Sequence, residues 1–381
     1  LREEIYKMIN WWLDKGIAGF RIDAIINIKK DLEWRSLPSD RENGLVPVPE
    51  SLVNAQPIEP FLQELKERTF AKYNAFTVGE VFNETDEELH FFIGKDGVFS
   101  SIFDFKQTML GQEGKGWFDH ALPTADELKE SIFQAHERAD CIGVLSTIIE
   151  NHDEPRGVSH YIAEGPVNDT SKKALGTIQI LRKGIPFIYQ GQEIGMENQV
   201  FESVEDFDDI ATINGYHVAK EAGLTEEEAL AAIAKYSRDN ARTPMQWSAE
   251  PGLGFSDGPA WLISPKPNVA INVKDQEKDP NSILNYYRQL TALYRHPLYG
   301  NTIRFGDMIP AYRDRENIIA FERRGDKRLL VVSNFQNRQA TLELPAPIKT
   351  VVLNNTAGLF QEGDQVLELV PYQTVVLELA E

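Results

Sequence analysis

The feature that most limits how this chain can fold is an alternation. Helix-length segments and short apolar runs of strand length alternate, five times over, between Leu1 and Tyr189. Strands joined through crossover helices pair in parallel, so the pattern predicts an α/β domain built on a parallel sheet. The predicted strands span 16–23, 75–81, 98–105, 144–149 and 185–189. Helices are expected over 1–15, 56–72, 85–93, 124–139 and 170–182. In the first, Leu1, Ile5, Met8, Ile9, Trp12 and Leu13 recur at helical spacing. Thr85 and Thr124 each stand three residues before a glutamate, the signature of a capping box. The stretch 31–54 is polar and carries Pro38, Pro47 and Pro49, which predicts a loop.

Past about residue 192 an acidic insertion with helical pieces runs to about 239, and 281–294 has the pattern of a last helix. From about residue 301 the texture changes to short strands split by turns, at 318–321, 329–332, 341–344, 351–353, 366–369 and 374–379. That spacing predicts an antiparallel β-sandwich. The expected division is an α/β domain over 1–300, with the insertion at 192–239, followed by a β-domain over 301–381.

Charge narrows the partners. The 381 residues sum to a formal charge of −20. Nucleic acid and anionic membrane both need clustered Lys and Arg, so neither is expected as a partner. No apolar run is long enough to span a bilayer. A lone Cys141 excludes an internal disulfide and fits a reducing compartment. Its expected place is the core. No signal peptide is visible, although the chain starts at Leu1 without methionine, and the expected location is cytoplasmic.

Three predicted strand ends carry carboxylates: Asp23, Glu80 and Asp153. Parallel α/β barrels keep their catalytic groups at that end. Two carboxyl groups flanking a glycosidic bond are the minimum machinery for glycoside hydrolysis. Arg21 is two residues before Asp23, on the same face of the predicted strand, and favours its charged form, which suits a nucleophile. Glu80 lies among Val78, Gly79, Val81 and Phe82, an apolar setting that favours the protonated form and suits a general acid. His152 and Asp153 can hold sugar hydroxyls. Taken singly, each residue has a plainer reading: a salt bridge for Arg21 and Asp23, a solvated strand end for Glu80, a self-bonded turn for His152 and Asp153. Trp11, Trp12, Phe91 and Phe92 are expected in the core. The case rests on the constellation.

Longer motifs extend it. Gly19-Phe20-Arg21-Ile22-Asp23, Thr77-Val78-Gly79-Glu80 and Glu150-Asn151-His152-Asp153 resemble the second, third and fourth conserved regions of the α-amylase family. Tyr189-Gln190-Gly191-Gln192-Glu193-Ile194-Gly195-Met196 and Ala241-Arg242-Thr243-Pro244-Met245-Gln246-Trp247 resemble segments of its α-glucosidase and oligo-1,6-glucosidase branch. The resemblance implies strands four to eight of a (β/α)8 barrel followed by a β-sandwich. It implies Asp23 as nucleophile of a retaining mechanism, Glu80 as acid/base and Asp153 as transition-state stabiliser. Arg21 and His152 would contact the sugar before the scissile bond, and Arg242 would lie on the leaving-group side.

The family's first conserved region, an Asp-x-x-x-Asn-His stretch, does not occur in this chain ahead of Leu1, nor do strands one to three. The chain is therefore expected to be the C-terminal part of a longer enzyme, inactive by itself and prone to self-association through exposed barrel edges. No cofactor is expected, and no metal, because the calcium site of many relatives lies in the missing part. The resulting expectation is an α-glucosidase acting on short α-glucosides of maltose or isomaltose type. Its rivals are a trehalose- or sucrose-type transglycosylating or isomerising relative, a non-catalytic partner protein that keeps the fold, and an inert fragment.

Ala24 follows the nucleophile directly, where α-1,6-specific relatives carry valine. A small side chain leaves room for a second glucose attached through O4. Enlarging a packed residue costs about 1–3 kcal/mol where it clashes, so Ala24→Val in the full-length enzyme should lower the ratio of maltose to isomaltose kcat/KM roughly tenfold. An unchanged ratio would remove the steric argument.

Overall fold

The computed structural model describes the chain except for residues 29, 40–43, 47–54, 56, 83, 113, 265, 359 and 381 and the side chains of 26 and 27. Much of the loop expected over 31–54 lies outside the described residues. Contacts divide the chain into two compact units: Leu1–Asp104 with Glu137–Ser146, and Phe105–His136 with Thr147–Glu381.

The first unit holds the start of the parallel sheet. β1 (Gly19–Ile22), β2 (Phe76–Gly79), β3 (Ser101–Phe103) and β4 (Leu145–Thr147) pair in sequence order. All three of these pairings are parallel, with Ile22 opposite Gly79, Val78 opposite Ser101 and Ile102 opposite Leu145. Glycine is required where the strands crowd: a Cβ on Gly19 would lie 1.7 Å from the Phe76 carbonyl oxygen. Each strand is shorter than the apolar run that announced it. Val81, Val98 and Phe99 are buried but stand outside the ladder. Apolar character reports burial, and burial extends past the last paired residue.

Helices fall where the capping signals put them. Asp86–Ile93 begins at Thr85, whose hydroxyl accepts from the Glu88 amide while the Glu88 carboxylate accepts from the Thr85 amide. The helix expected over 56–72 is two pieces, Glu59–Arg68 and Phe70–Tyr73, broken at Thr69, whose ψ is −86°. In the first helix, Arg2–Asp14, only Tyr6, Ile9 and Leu13 are buried. Ile9 and Leu13 pack with Phe70, and Ile5, Met8 and Trp12 are left exposed. Trp11 and Trp12 are thus not core residues, and Lys15 lies over the Trp11 ring at 4.3 Å. Phe92 is buried and stacks on Phe99 at 6.1 Å, and Phe91 packs against the same cluster. Cys141 is exposed, against expectation. It adopts φ +65° in the turn that closes the helix Ala125–Ala139, a position that reverses the chain rather than filling the core.

In the second unit β5 (Ile185–Pro186) lies beside the end of β4, and the Phe187 amide donates to the Thr147 carbonyl at 2.9 Å. The helix Asp169–Leu181 is buried on nearly every side because it is covered twice. Leu175 and Ile178 pack with Tyr286, Tyr287 and Leu290 of the helix Ile283–Leu293, and with Phe321, Val331 and Val376 from the C-terminal β-structure. That β-structure, among the described residues, is a five-stranded antiparallel sheet in the order β10-β12-β8-β7-β6 and a two-stranded one, β11-β9. Their spans are β6 Asp307–Ala311, β7 Ile318–Arg324, β8 Arg328–Asn334, β9 Ala340–Glu343, β10 Ile348–Asn354, β11 Val366–Leu369 and β12 Thr374–Leu379. Period-two alternation assigns the faces. In β8, Leu329 and Val331 face the helices while Leu330 and Val332 pack with Leu342, Leu367 and Leu369 of the smaller sheet. The strand β6 escaped the sequence pattern because Pro310 interrupts it, and an edge strand tolerates proline.

His160, in the helix Gly157–Tyr161, is buried with no hydrogen-bond partner for either ring nitrogen among the described residues. Its ring packs edge-on against Tyr161 and Tyr236. Burial pushes its pKa down to about 4. The unfolded chain takes up this proton below about pH 6.5, whereas the folded one does so only near 4, so stability falls as pH drops through that window. Between pH 7 and 5 this histidine should cost about 2 kcal/mol. Urea unfolding of His160→Phe should show a pH slope shallower by that amount, and equal slopes in both proteins would refute the account.

Candidate active site

Two clusters carry the candidate residues, one in each unit. In the first, parallel register does the positioning. β1 ends at Ile22 opposite Gly79, the last residue of β2, and the Glu80 amide donates to the Ile22 carbonyl at 2.9 Å. Asp23 and Glu80 therefore leave the carboxyl ends of neighbouring strands side by side. Asp23 is not on the strand, as the alternation argument assumed, but in the turn that follows it, where Ala24 has φ +39°. The turn, not the pleat, brings Arg21 and Asp23 together.

Arg21 joins the two acids. Its Nη1 donates to Asp23 Oδ1 at 2.5 Å and its Nη2 to Glu80 Oε2 at 2.7 Å. The Ala24 amide also donates to Glu80 Oε2, at 2.9 Å. The Asp23 side chain is 73% exposed and that of Glu80 only 7%. Burial, reinforced by the hydrogen bond with Asp23, pushes the Glu80 pKa up against the pull of the Ala24 amide and the Arg21 charge. Of two adjacent carboxyl groups, the buried one keeps its proton and the exposed one bears the charge. Ala24 sits in contact with this pair through its backbone. Its positive φ disfavours a β-branched residue, so Ala24→Val carries a conformational cost beside any steric one.

In the second unit the segment after β4 is fixed by a buried ion pair. Glu150 and Arg156 are both fully enclosed, with Arg156 Nη1 to Glu150 Oε1 at 2.9 Å, and Glu150 Oε2 accepts from the Gly157 amide at 2.6 Å. Arg156 also donates to the carbonyls of Gln190 and Asn240, and its guanidinium lies 5.4 Å from the Tyr189 ring centre. It thereby ties 150–153, 189–196 and 238–242 together. Within the first of these, Asn151 Oδ1 accepts from the Asp153 amide at 2.7 Å, setting the turn.

His152, Asp153 and Arg242 meet. Asp153 Oδ1 accepts from Arg242 Nη2 at 2.7 Å, and Asp153 Oδ2 lies 3.2 Å from His152 Nε2. Arg242 Nε donates to the His152 carbonyl at 2.9 Å. Two further residues join that the sequence reading passed over. Arg238 Nη1 donates to Asp153 Oδ1 at 3.1 Å, while its Nε donates to the buried Asp209 at 2.7 Å. Burial works against the Asp209 charge, but the bonds from Thr212 and Arg238 outweigh it and hold the carboxyl below its usual range. Arg238 stands four residues before Arg242, one helical turn, and that spacing was the available signal. Glu154 is the other: burial, helped by the Asp153 charge and opposed by a hydrogen bond from Thr108, pushes its pKa up to about 7. Among the described residues no group of three or more His, Cys, Asp and Glu side chains is placed to hold a metal. No described helix is long and apolar enough to cross a membrane.

The family profile described as "Alpha amylase, catalytic domain" matches residues 1–298, and that of the α-amylase SusG C-terminal domain matches 318–376. A probable oligo-1,6-glucosidase of Bacillus subtilis is 38% identical over 297 residues, 77% of this chain and 52% of that protein. An oligo-1,6-glucosidase of Halalkalibacterium halodurans is 36% identical over 361 residues, 93% of this chain and 64% of that protein. Among solved structures, isomaltulose synthase from Protaminobacter rubrum superposes with a TM-score of 0.90 at 28% identity, covering 100% of this chain and 68% of that one. The chain spans from about half to two thirds of the length of these proteins.

The Glu150–Arg156 pair offers a direct test. Removing one partner strands a buried charge, so Arg156→Met should destabilise the second unit by about 3–5 kcal/mol, read from urea unfolding. Adding Glu150→Gln to that variant should restore part of the loss. A single variant within about 0.5 kcal/mol of wild type would show that the pair does not organise the segment.

Proposed function

This chain belongs to the α-amylase family, and from that premise we propose that it serves a retaining α-glucosidase acting on short α-linked gluco-oligosaccharides. The observation that carries the reading is the shared arginine: Arg21 binds an exposed aspartate and a buried glutamate whose pKa burial raises, at the ends of adjoining strands. A retaining glycosidase needs one carboxylate and one carboxylic acid in that relation. Asp23 attacks the anomeric carbon while Glu80 gives its proton to the departing glycosidic oxygen, leaving a glucosyl ester on Asp23. Glu80, now ionised, takes a proton from water, the water oxygen attacks the anomeric carbon, and glucose leaves with its configuration retained. Asp153 stabilises the positive charge that develops on the sugar ring. Arg21 and His152 hold the glucose being transferred, Arg242 lies toward the leaving group, and Ala24 lines the space where the two sugars meet.

Similarity to oligo-1,6-glucosidases supports α-1,6-linked oligosaccharides as substrates, with α-1,4-linked ones admitted by the small Ala24. The likeness to isomaltulose synthase supports a second outcome, in which the glucosyl group passes to a sugar instead of to water. Products from sucrose separate the two: free glucose and fructose for hydrolysis, a rearranged disaccharide for isomerisation.

In the full-length enzyme Asp23→Asn should abolish turnover. Glu80→Gln should lose natural oligosaccharides but keep the first step on aryl glucosides or glucosyl fluoride, whose leaving groups need no proton. Activity requires the protonated Glu80, so kcat/KM should fall as pH rises through a pKa lifted above the ordinary glutamate value of about 4.3. Glu80→Gln should erase that limb on the activated substrates. Near-normal maltose or isomaltose hydrolysis by Asp23→Asn would overturn the assignment.

A further inference from the structure

Downstream of Arg242 the chain does something unusual with its aromatics. Trp247, Phe255 and Trp261 are all the aromatic residues between 242 and 263, and they are 49%, 57% and 69% exposed. Tryptophan is among the more buried residues on average, so two exposed in one segment ask for a reason. The segment is firmly held. The Trp247 and Ser248 amides both donate to the Leu253 carbonyl, at 2.9 and 3.0 Å, across a tight turn in which Gly252, Leu253 and Gly254 all have positive φ. Beyond Trp261, Leu262 is buried and the Ser264 hydroxyl donates to the Val200 carbonyl at 2.7 Å.

Trp261 is also oriented. Its indole Nε1 donates to Asp208 Oδ2 at 2.8 Å, although both residues are exposed. Asp208 Oδ1 has no partner among the described residues. The aspartate itself is fixed through its backbone: the amides of Asp208 and Asp209 both donate to Asp239 Oδ2, at 2.8 and 3.0 Å. From Asp209 the bonds run inward to Arg238 and from Arg238 to Asp153. An open indole face next to an unpaired carboxylate oxygen is a complete set for a pyranose ring. The ring's C–H face lies on the aromatic surface, and a hydroxyl donates to the carboxylate.

We propose that Trp261 and Asp208 form a subsite for a further glucose unit of an oligosaccharide, farther from Asp153 than the position of Arg242. Resting on the glucosidase reading, this gives the enzyme a preference for chains of three or more sugars over disaccharides. Continuity with the Asp153 cluster favours sugar as the occupant over a second copy of the chain.

Two measurements test it. Tryptophan fluorescence of the chain is titrated with isomaltotriose and with isomaltose, in wild type, Trp261→Ala, Trp261→Phe and Asp208→Asn. Losing one stacked aromatic surface should weaken isomaltotriose binding about tenfold in Trp261→Ala, with Trp261→Phe recovering most of it. In the full-length enzyme the ratio of kcat/KM for isomaltotriose to that for an aryl glucoside should fall by a similar factor in Trp261→Ala. Equal isomaltotriose affinity in wild type and Trp261→Ala overturns the subsite, whatever the enzyme's turnover. Trp261-dependent binding in an enzyme that turns over no glucoside sustains the subsite and fails the glucosidase reading alone. Sedimentation that shows dimers abolished by Trp261→Ala, with sugar binding unchanged, assigns the aromatics to a second copy and overturns the proposal.

Discussion

The second unit's site depends on one buried guanidinium. Arg156 reaches a carboxylate, two carbonyls and an aromatic ring from three separate stretches of chain, with no contact to water. Enclosing two opposite charges is worthwhile only when their remaining donors and acceptors are met as well, and here the Gly157 amide and the Gln190 carbonyl meet them. The result is a rigid corner in which the turn at 151–153 has little freedom. Asp153 can then be held from two sides by arginines without moving away from either.

That corner explains why some of the site was legible and some was not. Asp23 and Glu80 directly follow β1 and β2, while Asp153 stands in the turn beyond β4, and such positions can be located from apolar runs even when the runs overshoot the ladder by one to three residues. Arg21 could be paired with Asp23 because they are close in sequence. Its bond to Glu80 could not, since it depends on the register between β1 and β2, which no local pattern records. The bonds of Arg238 to Asp209 and Asp153 were hidden for the same reason: 29 and 85 residues separate Arg238 from its two partners. In the sequence Glu150 is one letter of the motif 150–153. Its function as an anchor becomes evident once burial is known.

In the fold, local grammar was reliable and packing width was not. The threonine caps at 85 and 124 and the strands 366–369 and 374–379 stand where the pattern put them. The first helix exposes most of its apolar stripe, because how much of a stripe is covered depends on what packs against it. Cys141 shows the converse. An apolar residue in a helix-ending turn follows the backbone's need for a left-handed residue, not its own hydrophobicity.

The two donors on Glu80 Oε2 have a consequence for timing. With Arg21 and Ala24 both pointing hydrogens at that oxygen, Oε1 is the oxygen left to carry a proton when Glu80 is protonated. What favours that protonation, besides burial, is the neighbouring Asp23. In the proposed cycle Asp23 becomes an ester after the first step and loses its negative charge. The influences left on Glu80 beside burial are then the guanidinium and the amide, and both favour ionisation. In that proposed cycle the same glutamate is an acid while the aspartate is free and a base while it is occupied, and the state of one carboxyl group sets the clock for the other.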